Sequence, residues 1–237
     1  NFRIEVPDNF NFAYDVVDRY AAEAPEKRAL VWCDDTGAER IFSFKQMAQC
    51  VNKTANYLAE RGIKKGDAVM LILRRRYEFW WFILALHKIG AVAIPATNLL
   101  LAKDIVFRTN AAGVKMIVSF DDNVQKEIEQ ALPDSPSVQR LVTVGGARAG
   151  WEEFHPVYEL ASDSFTRPTG EAATKNDDVM LLYFTSGTSG NPKMVQHNFA
   201  YPLGHIVTAR YWQNVVDDGL HLTVAETGWA KAVWGKL

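Results

Sequence analysis

From Gly66 to Val144 short apolar runs alternate with helical stretches, and that alternation limits the fold more than any other feature of the chain. Ala68 to Leu73 reads as a buried strand, Tyr77 to Lys88 as a helix ended by Gly90, and Ala91 to Ile94 as a second strand before Pro95. Ala102 to Asn110 (helix), Met116 to Phe120 (strand), Asn123 to Leu132 (helix) and Leu141 to Val144 (strand) continue the pattern. Runs that are apolar throughout need cover on both faces, and parallel strands need crossovers of about this length. The expected class is α/β, with open, mostly parallel sheets flanked by helices.

Before this region, Asn11 is placed to cap a helix with apolar Phe12, Val16 and Tyr20, and Pro25 follows its end. Strand-like runs at Ala29–Cys33 and Arg40–Phe44 flank the turn signal Asp34-Asp35-Thr36-Gly37, which predicts a hairpin. Ser43 and Gln46 have capping-box spacing, Met47, Val51, Ala55 and Leu58 form a helical stripe, and Gly62 stands where a helix stops. Gly145 to Asp178 shows little periodicity outside Val157 to Leu160 and reads mostly as loop.

Charge and cysteine usage narrow the function classes. The 26 Lys+Arg and 28 Asp+Glu give a net charge of -2 spread along the chain, against a nucleic-acid partner held by a basic field. The longest apolar run, Phe79 to Leu86, is far shorter than the roughly 18 residues of a membrane span. Cys33 and Cys50 lack metal-ligand spacing and read as buried thiols of a reducing compartment. The chain opens without a signal-peptide pattern, so a cytoplasmic location is expected.

The densest chemistry follows Asp178 to Phe184, a strand-like run leading into Thr185-Ser186-Gly187-Thr188-Ser189-Gly190-Asn191-Pro192-Lys193. Glycines let the backbone approach a ligand, hydroxyls donate to oxyanions, and a lysine supplies a positive point charge, which together are the parts of a phosphate cradle. By composition alone, a solvent-exposed Ser/Thr/Gly turn is an equal reading. The loop is not a Walker A motif, because Gly187 and Gly190 are too close and Met194 follows Lys193.

Tyr183 to Lys193 resembles, position by position, the phosphate-loop signature of the AMP-forming acyl-activating enzymes. These comprise acyl- and aryl-CoA synthetases, peptide-synthetase adenylation domains and beetle luciferase. Other landmarks fall in the same order: Phe42-Ser43-Phe44 before a helix, Lys88-Ile89-Gly90-Ala91-Val92 before Pro95, and Ala225-Glu226-Thr227-Gly228-Trp229, which is similar to the family's Asp-x-Gly-Trp segment with Glu226 in place of Asp. Phe10 to Asp18 and Glu78-Phe79-Trp80-Trp81 look most like the acetyl- and medium-chain acyl-CoA synthetase branch.

The resemblance implies a two-step ligase. A carboxylate attacks the α-phosphate of ATP to give acyl-adenylate and pyrophosphate, and coenzyme A then displaces AMP. It implies that Thr185, Ser186, Gly187, Thr188, Ser189, Gly190, Asn191 and Pro192 wrap the phosphates, with Lys193 as the catalytic cation and Mg²⁺ accompanying ATP. Residues 1–237 would form the N-terminal part of the large adenylating domain, with a strand–helix unit at 65–145 and a phosphate-loop unit at 178–237. The adenine motif, ribose-binding Asp, hinge and small C-terminal domain have no counterpart in this sequence, so the chain is expected to be inactive alone and to expose an apolar surface that drives self-association. Two other readings stand beside it: a non-catalytic nucleotide-binding or interaction module of the same fold, and an aryl-acid or amino-acid adenylating enzyme.

Trp229 and Trp234 are candidates for lining the acyl pocket, with core packing as the competing reading. Arg74, Arg75 and Arg76 lie at a strand end, where a coenzyme A phosphate contact competes with ordinary surface charge. Trp80, Trp81 and Phe82 read as a buried helix face. The five histidines, His87, His155, His197, His205 and His221, have no zinc spacing. Among them His197, four residues past Lys193, is the nearest to the loop.

Overall fold

A computed structural model of the chain describes residues 3–185 and 192–234, with the backbone alone at 231 and 234. The first helix begins as a π-helical turn, Ala13–Asp18, and continues as α1 (Arg19–Glu23). Asn11 caps it as expected, its Oδ1 accepting from the Ala13 N–H at 3.1 Å. The same side chain is fully buried and donates to the His87 carbonyl, which fastens the opening segment to the core.

β1 (Arg28–Cys33) and β2 (Glu39–Ser43) form the predicted antiparallel hairpin. The expectation of buried thiols fails at Cys33, which is exposed because it ends a two-stranded sheet with an open face; Cys50 is half-buried. Helix α2 (Phe44–Glu60) starts with the capping box read from the sequence, Ser43 and Gln46 each bonding the other's backbone N–H. It buries Met47, Val51, Ala55 and Leu58.

The alternating region continues with β3 (Ala68–Ile72), α3 (Glu78–Ile89), β4 (Val92–Pro95), α4 (Ala102–Ala112), β5 (Val114–Ser119), α5 (Asp122–Ala131) and β6 (Arg140–Thr143). Next come β7 (Glu152–Glu153), α6 (Phe154–Tyr158), β8 (Val179–Thr185), β9 (Lys193–Asn198), α7 (Tyr201–Tyr211) and α8 (Ala230–Trp234). The stretch read as mostly loop thus contains β7 and α6. β7 was not legible because two glutamates carry no strand pattern. It is held by pairing to β6 and by an Arg61–Glu152 ion pair from α2.

Seven strands form one sheet in the order β7-β6-β5-β3-β4-β8-β9, parallel throughout except for antiparallel β9 at the edge. The central strand β3 is buried on both faces, and its side chains divide by period two. Val69 and Leu71 face the core under α2 and α3, whereas Met70 and Ile72 join Ile105, Val124 and Ile128 of α4 and α5. Helix α3 is buried all round, so it is apolar on every side, and Trp80, Trp81 and Phe82 are core residues as the sequence predicts. Each such fully buried large apolar side chain contributes about 1.5–3 kcal/mol. Among the described residues no helix is long and apolar enough to cross a membrane.

Candidate functional site

Because β3, β4, β5 and β8 run the same way, the loops that follow them gather at one edge of the sheet. The chain leaves β3 toward β4 and leaves β5 toward β6, so outgoing connections diverge between β3 and β5. Open α/β sheets bind ligands in the crevice made by such divergence.

The hydroxyl- and glycine-rich loop opens at this edge. Thr185 is the last residue of β8 and pairs with Lys193, the first residue of β9, so the two ends of the loop are clamped by a strand ladder. A helix starting at Thr185 would be incompatible with a cradle, and Thr185 itself is in strand conformation. Ser186, Gly187, Thr188, Ser189, Gly190 and Asn191 lie outside the described residues. Pro192 is half-buried and Lys193 exposed. In a P-loop a helix follows and its N-terminus helps bind the anion. Here the next described element is the antiparallel strand β9.

A second segment closes over the same edge. The Thr227 hydroxyl donates to the Arg74 carbonyl, and the Glu226 carboxylate accepts from the Gly228 N–H at 2.9 Å. A Cβ on Gly228 would sit 2.4 Å from the Thr97 nitrogen and 2.7 Å from the Ala96 carbonyl carbon, so only glycine permits this seating just past β4. Burial raises the Glu226 carboxyl above its usual range. Trp229 is 66% exposed in this chain.

The three arginines have separate tasks. Arg74, in a left-handed backbone (φ 48°), lies 3.5 Å from Asp121, which also lies 3.5 Å from the Asn98 amide. Arg75 donates to the Val224 carbonyl at 3.0 Å, helping hold the closing segment. Arg76 grips Glu78 with two bonds of 3.0 and 2.6 Å, and His155 Nε2 stands 3.1 Å from the same carboxylate. Burial alone would raise the Glu78 carboxyl, but the bonds from His155 and Arg76 prevail and hold it below its usual range. Arg76 is therefore engaged inside the protein.

Sequence reasoning missed Glu78 and, at the other end of α3, Lys88. Lys88 is fully buried and bonds Asp18 at 2.5 Å and Asn52 at 2.7 Å, with its ammonium 4.6 Å from the Tyr14 ring centroid. The available signal was a charged residue at each end of a helix otherwise apolar on every face. His87 is also fully buried, and burial pushes its imidazole down to about 3. His197 stacks on Tyr201 with centroids 3.8 Å apart, and partial burial lowers it as well. Among the described residues no group of three or more His, Cys, Asp or Glu side chains could hold a metal ion.

Known proteins resemble this chain in sequence and in fold. The mitochondrial acyl-coenzyme A synthetase ACSM3 of Mus musculus is 34% identical over 245 residues, covering 100% of this chain and 41% of its own length. The mitochondrial acyl-coenzyme A synthetase ACSM5 of Homo sapiens is 34% identical, covering 97% and 40%. This chain thus spans about two fifths of the curated relatives it matches. An acyl-CoA synthetase of Brucella canis superposes with a TM-score of 0.82 at 23% identity, covering 94% of this chain and 40% of that one. The anthranilate CoA ligase AuaEII, solved with anthranoyl-AMP, gives a TM-score of 0.76 at 23% identity over 89% and 38%. These two share the fold, including the mostly parallel sheet flanked by helices.

The mitochondrial relatives overturn the cytoplasmic expectation. Cysteine usage separates oxidising from reducing compartments and does not distinguish one reducing compartment from another. The family model for AMP-binding enzymes matches residues 17–234, and the chain belongs to that family.

Proposed function

We propose that residues 1–237 are the N-terminal, phosphate-binding part of a large adenylating domain, and that the whole protein is an AMP-forming carboxylate–CoA ligase of the acetyl- and medium-chain branch. The observation that carries this reading is the clamp between Thr185 and Lys193, which sets a loop of hydroxyls and glycines at the ligand-binding edge of a parallel sheet.

In the first step a carboxylate oxygen of the acid bonds to the α-phosphorus of ATP while the bond to the β-phosphate oxygen breaks, giving acyl-adenylate and pyrophosphate. Such a displacement depends mainly on positioning and on charge stabilisation. Thr185 to Pro192 hold the β- and γ-phosphates, and Lys193 neutralises charge on the departing pyrophosphate. Trp229 lines the acyl pocket from the rim. In the second step the coenzyme A sulfur bonds to the acyl carbon and AMP leaves. Mg²⁺ bound with ATP would offset part of the phosphate charge.

The test is titration of this chain with ATP, alongside acid-dependent exchange of labelled pyrophosphate into ATP with acetate, octanoate and benzoate. ATP binding without exchange is the expected result for this chain. Lys193→Ala should weaken ATP by at least about tenfold, and in the whole ligase it should cost about 100- to 1000-fold in rate. Failure of the folded chain to bind ATP would overturn the reading.

A further inference from the structure

Helix α2 buries one stripe in the core and lays a second, Gln46, Gln49, Cys50 and Lys53, along a groove. These four positions follow the i, i+3, i+4, i+7 spacing of a single helix face. β2 supplies Arg40, Ile41 and Phe42 to the groove, and Tyr158 of α6 and Asp163 complete it. Its volume is about 450 Å³, within the range of sites that take small molecules.

The floor is apolar and held in place from behind. Phe42 and Tyr158 are buried and both pack on Trp81, Tyr158 stacked at a centroid distance of 5.2 Å and Phe42 edge-on at 5.8 Å. Ile41 lines the same groove yet is 53% exposed, apolar area that a ligand would cover. The polar groups around this floor are unevenly engaged. The Asp163 carboxylate accepts from the Gln49 amide at 3.3 Å, and Lys53 donates to the Glu159 carbonyl at 3.1 Å and to its carboxylate at 3.4 Å. The Gln46 oxygen accepts from the Ser43 N–H at 2.9 Å, which leaves its NH₂ as a donor. Arg40 stands apart: its guanidinium lies 5.0 Å from the Tyr77 ring centroid, and no carboxylate meets it among the described residues. The ring orients the guanidinium and leaves its fork of donors available.

We propose that this groove binds a small amphipathic carboxylate, with the anion on Arg40 and the hydrocarbon or ring over Phe42, Ile41 and Tyr158. An arginine fork matches a carboxylate in two parallel bonds. One free cation beside Asp163 and Glu159 balances a single negative charge, so a monoanion fits where a phosphate dianion would be repelled. The preformed aromatic floor lowers the ordering cost of binding. The lining comes from β2, α2, α6 and Asp163, so the assignment does not rest on the phosphate-cradle reading.

The experiment follows the backbone and side-chain amide resonances of the chain by NMR during titration with hexanoate, hexanol and inorganic phosphate, with melting temperature as the folding control. Hexanoate should shift Arg40, Ile41, Phe42, Gln46 and Gln49 saturably, and phosphate should leave them in place. Hexanol should bind about tenfold more weakly, as expected for loss of a charge-assisted bond. Arg40→Met should weaken hexanoate to a similar extent, and Arg40→Lys should recover part of the loss. Ile41→Ser, at an exposed position, tests the apolar contact without touching the charge and should weaken hexanoate and hexanol alike. Resonances of the groove unmoved by hexanoate overturn the assignment, as do equal shifts in a folded Arg40→Met or with hexanol. Hexanoate shifts confined to residues around Trp229 remove this inference and leave the ligase reading standing. Failure of the folded chain to bind ATP, with the groove still responding to hexanoate, does the reverse.

Discussion

The buried carboxylate of Glu78 shows how a single residue can couple the ligand edge to the core. Its side chain has no exposure to solvent, yet it accepts from Arg76 in the loop after β3 and meets His155 of α6. Because its folded-state pKa lies below the usual value of 4.5, the charged form stabilises the fold above that pH, and the contribution is lost as pH falls through the folded value. Glu78→Gln should therefore destabilise the chain by about 3–5 kcal/mol at neutral pH, the range for breaking a buried pair from one side. Urea denaturation as a function of pH checks this: the gap between wild type and variant should begin to narrow as pH falls below 4.5 and close through the lower folded-state value, and a constant gap at all pH values would contradict it.

At the scale of elements, the hairpin and the closing segment were legible to different degrees. The β8 strand and the loop after it were plain from composition, because a run of seven mostly apolar residues ends abruptly in hydroxyls and glycines. β9 was not, since an edge strand whose first four residues are exposed carries no burial pattern. The seating of residues 224–229 depends on the missing Cβ of Gly228 and on contacts with Arg74 and Arg75, far away in sequence. Gly228→Ala should unseat this segment at a cost of about 1–3 kcal/mol, as overpacking does. Limited proteolysis near Trp229 should quicken while the melting of the sheet changes little. Unchanged cleavage would show that the segment is not held by this contact.

Across the whole molecule, one parallel sheet is covered on both faces at its centre and left open toward β9 and α7. Ile206, Val207, Tyr211, Trp212, Leu220, Leu222, Val224 and Trp229 are each exposed, and exposed large apolar side chains favour association where they adjoin. The chain by itself should gain mass with concentration in sedimentation velocity, and Trp212→Ser should reduce that tendency. A mass independent of concentration would remove the expectation.

The sequence by itself determined the strand–helix alternation from Gly66 to Val144, the capping box of α2, the burial of α3 and the composition of the phosphate loop, because each is written in local periodicity or in turn chemistry. Tertiary structure alone decided which strands became neighbours and which edge the loops share. It also decided that Lys88 pairs with Asp18, that Arg76 is taken up by Glu78, and that Arg108 stands beside Phe184. Those outcomes join residues tens of positions apart, or two positions apart across a loop, through charge placed in a low-dielectric interior. Short-range pattern records that a residue is charged, and only the packed sheet fixes which opposite charge, ring or ligand it meets.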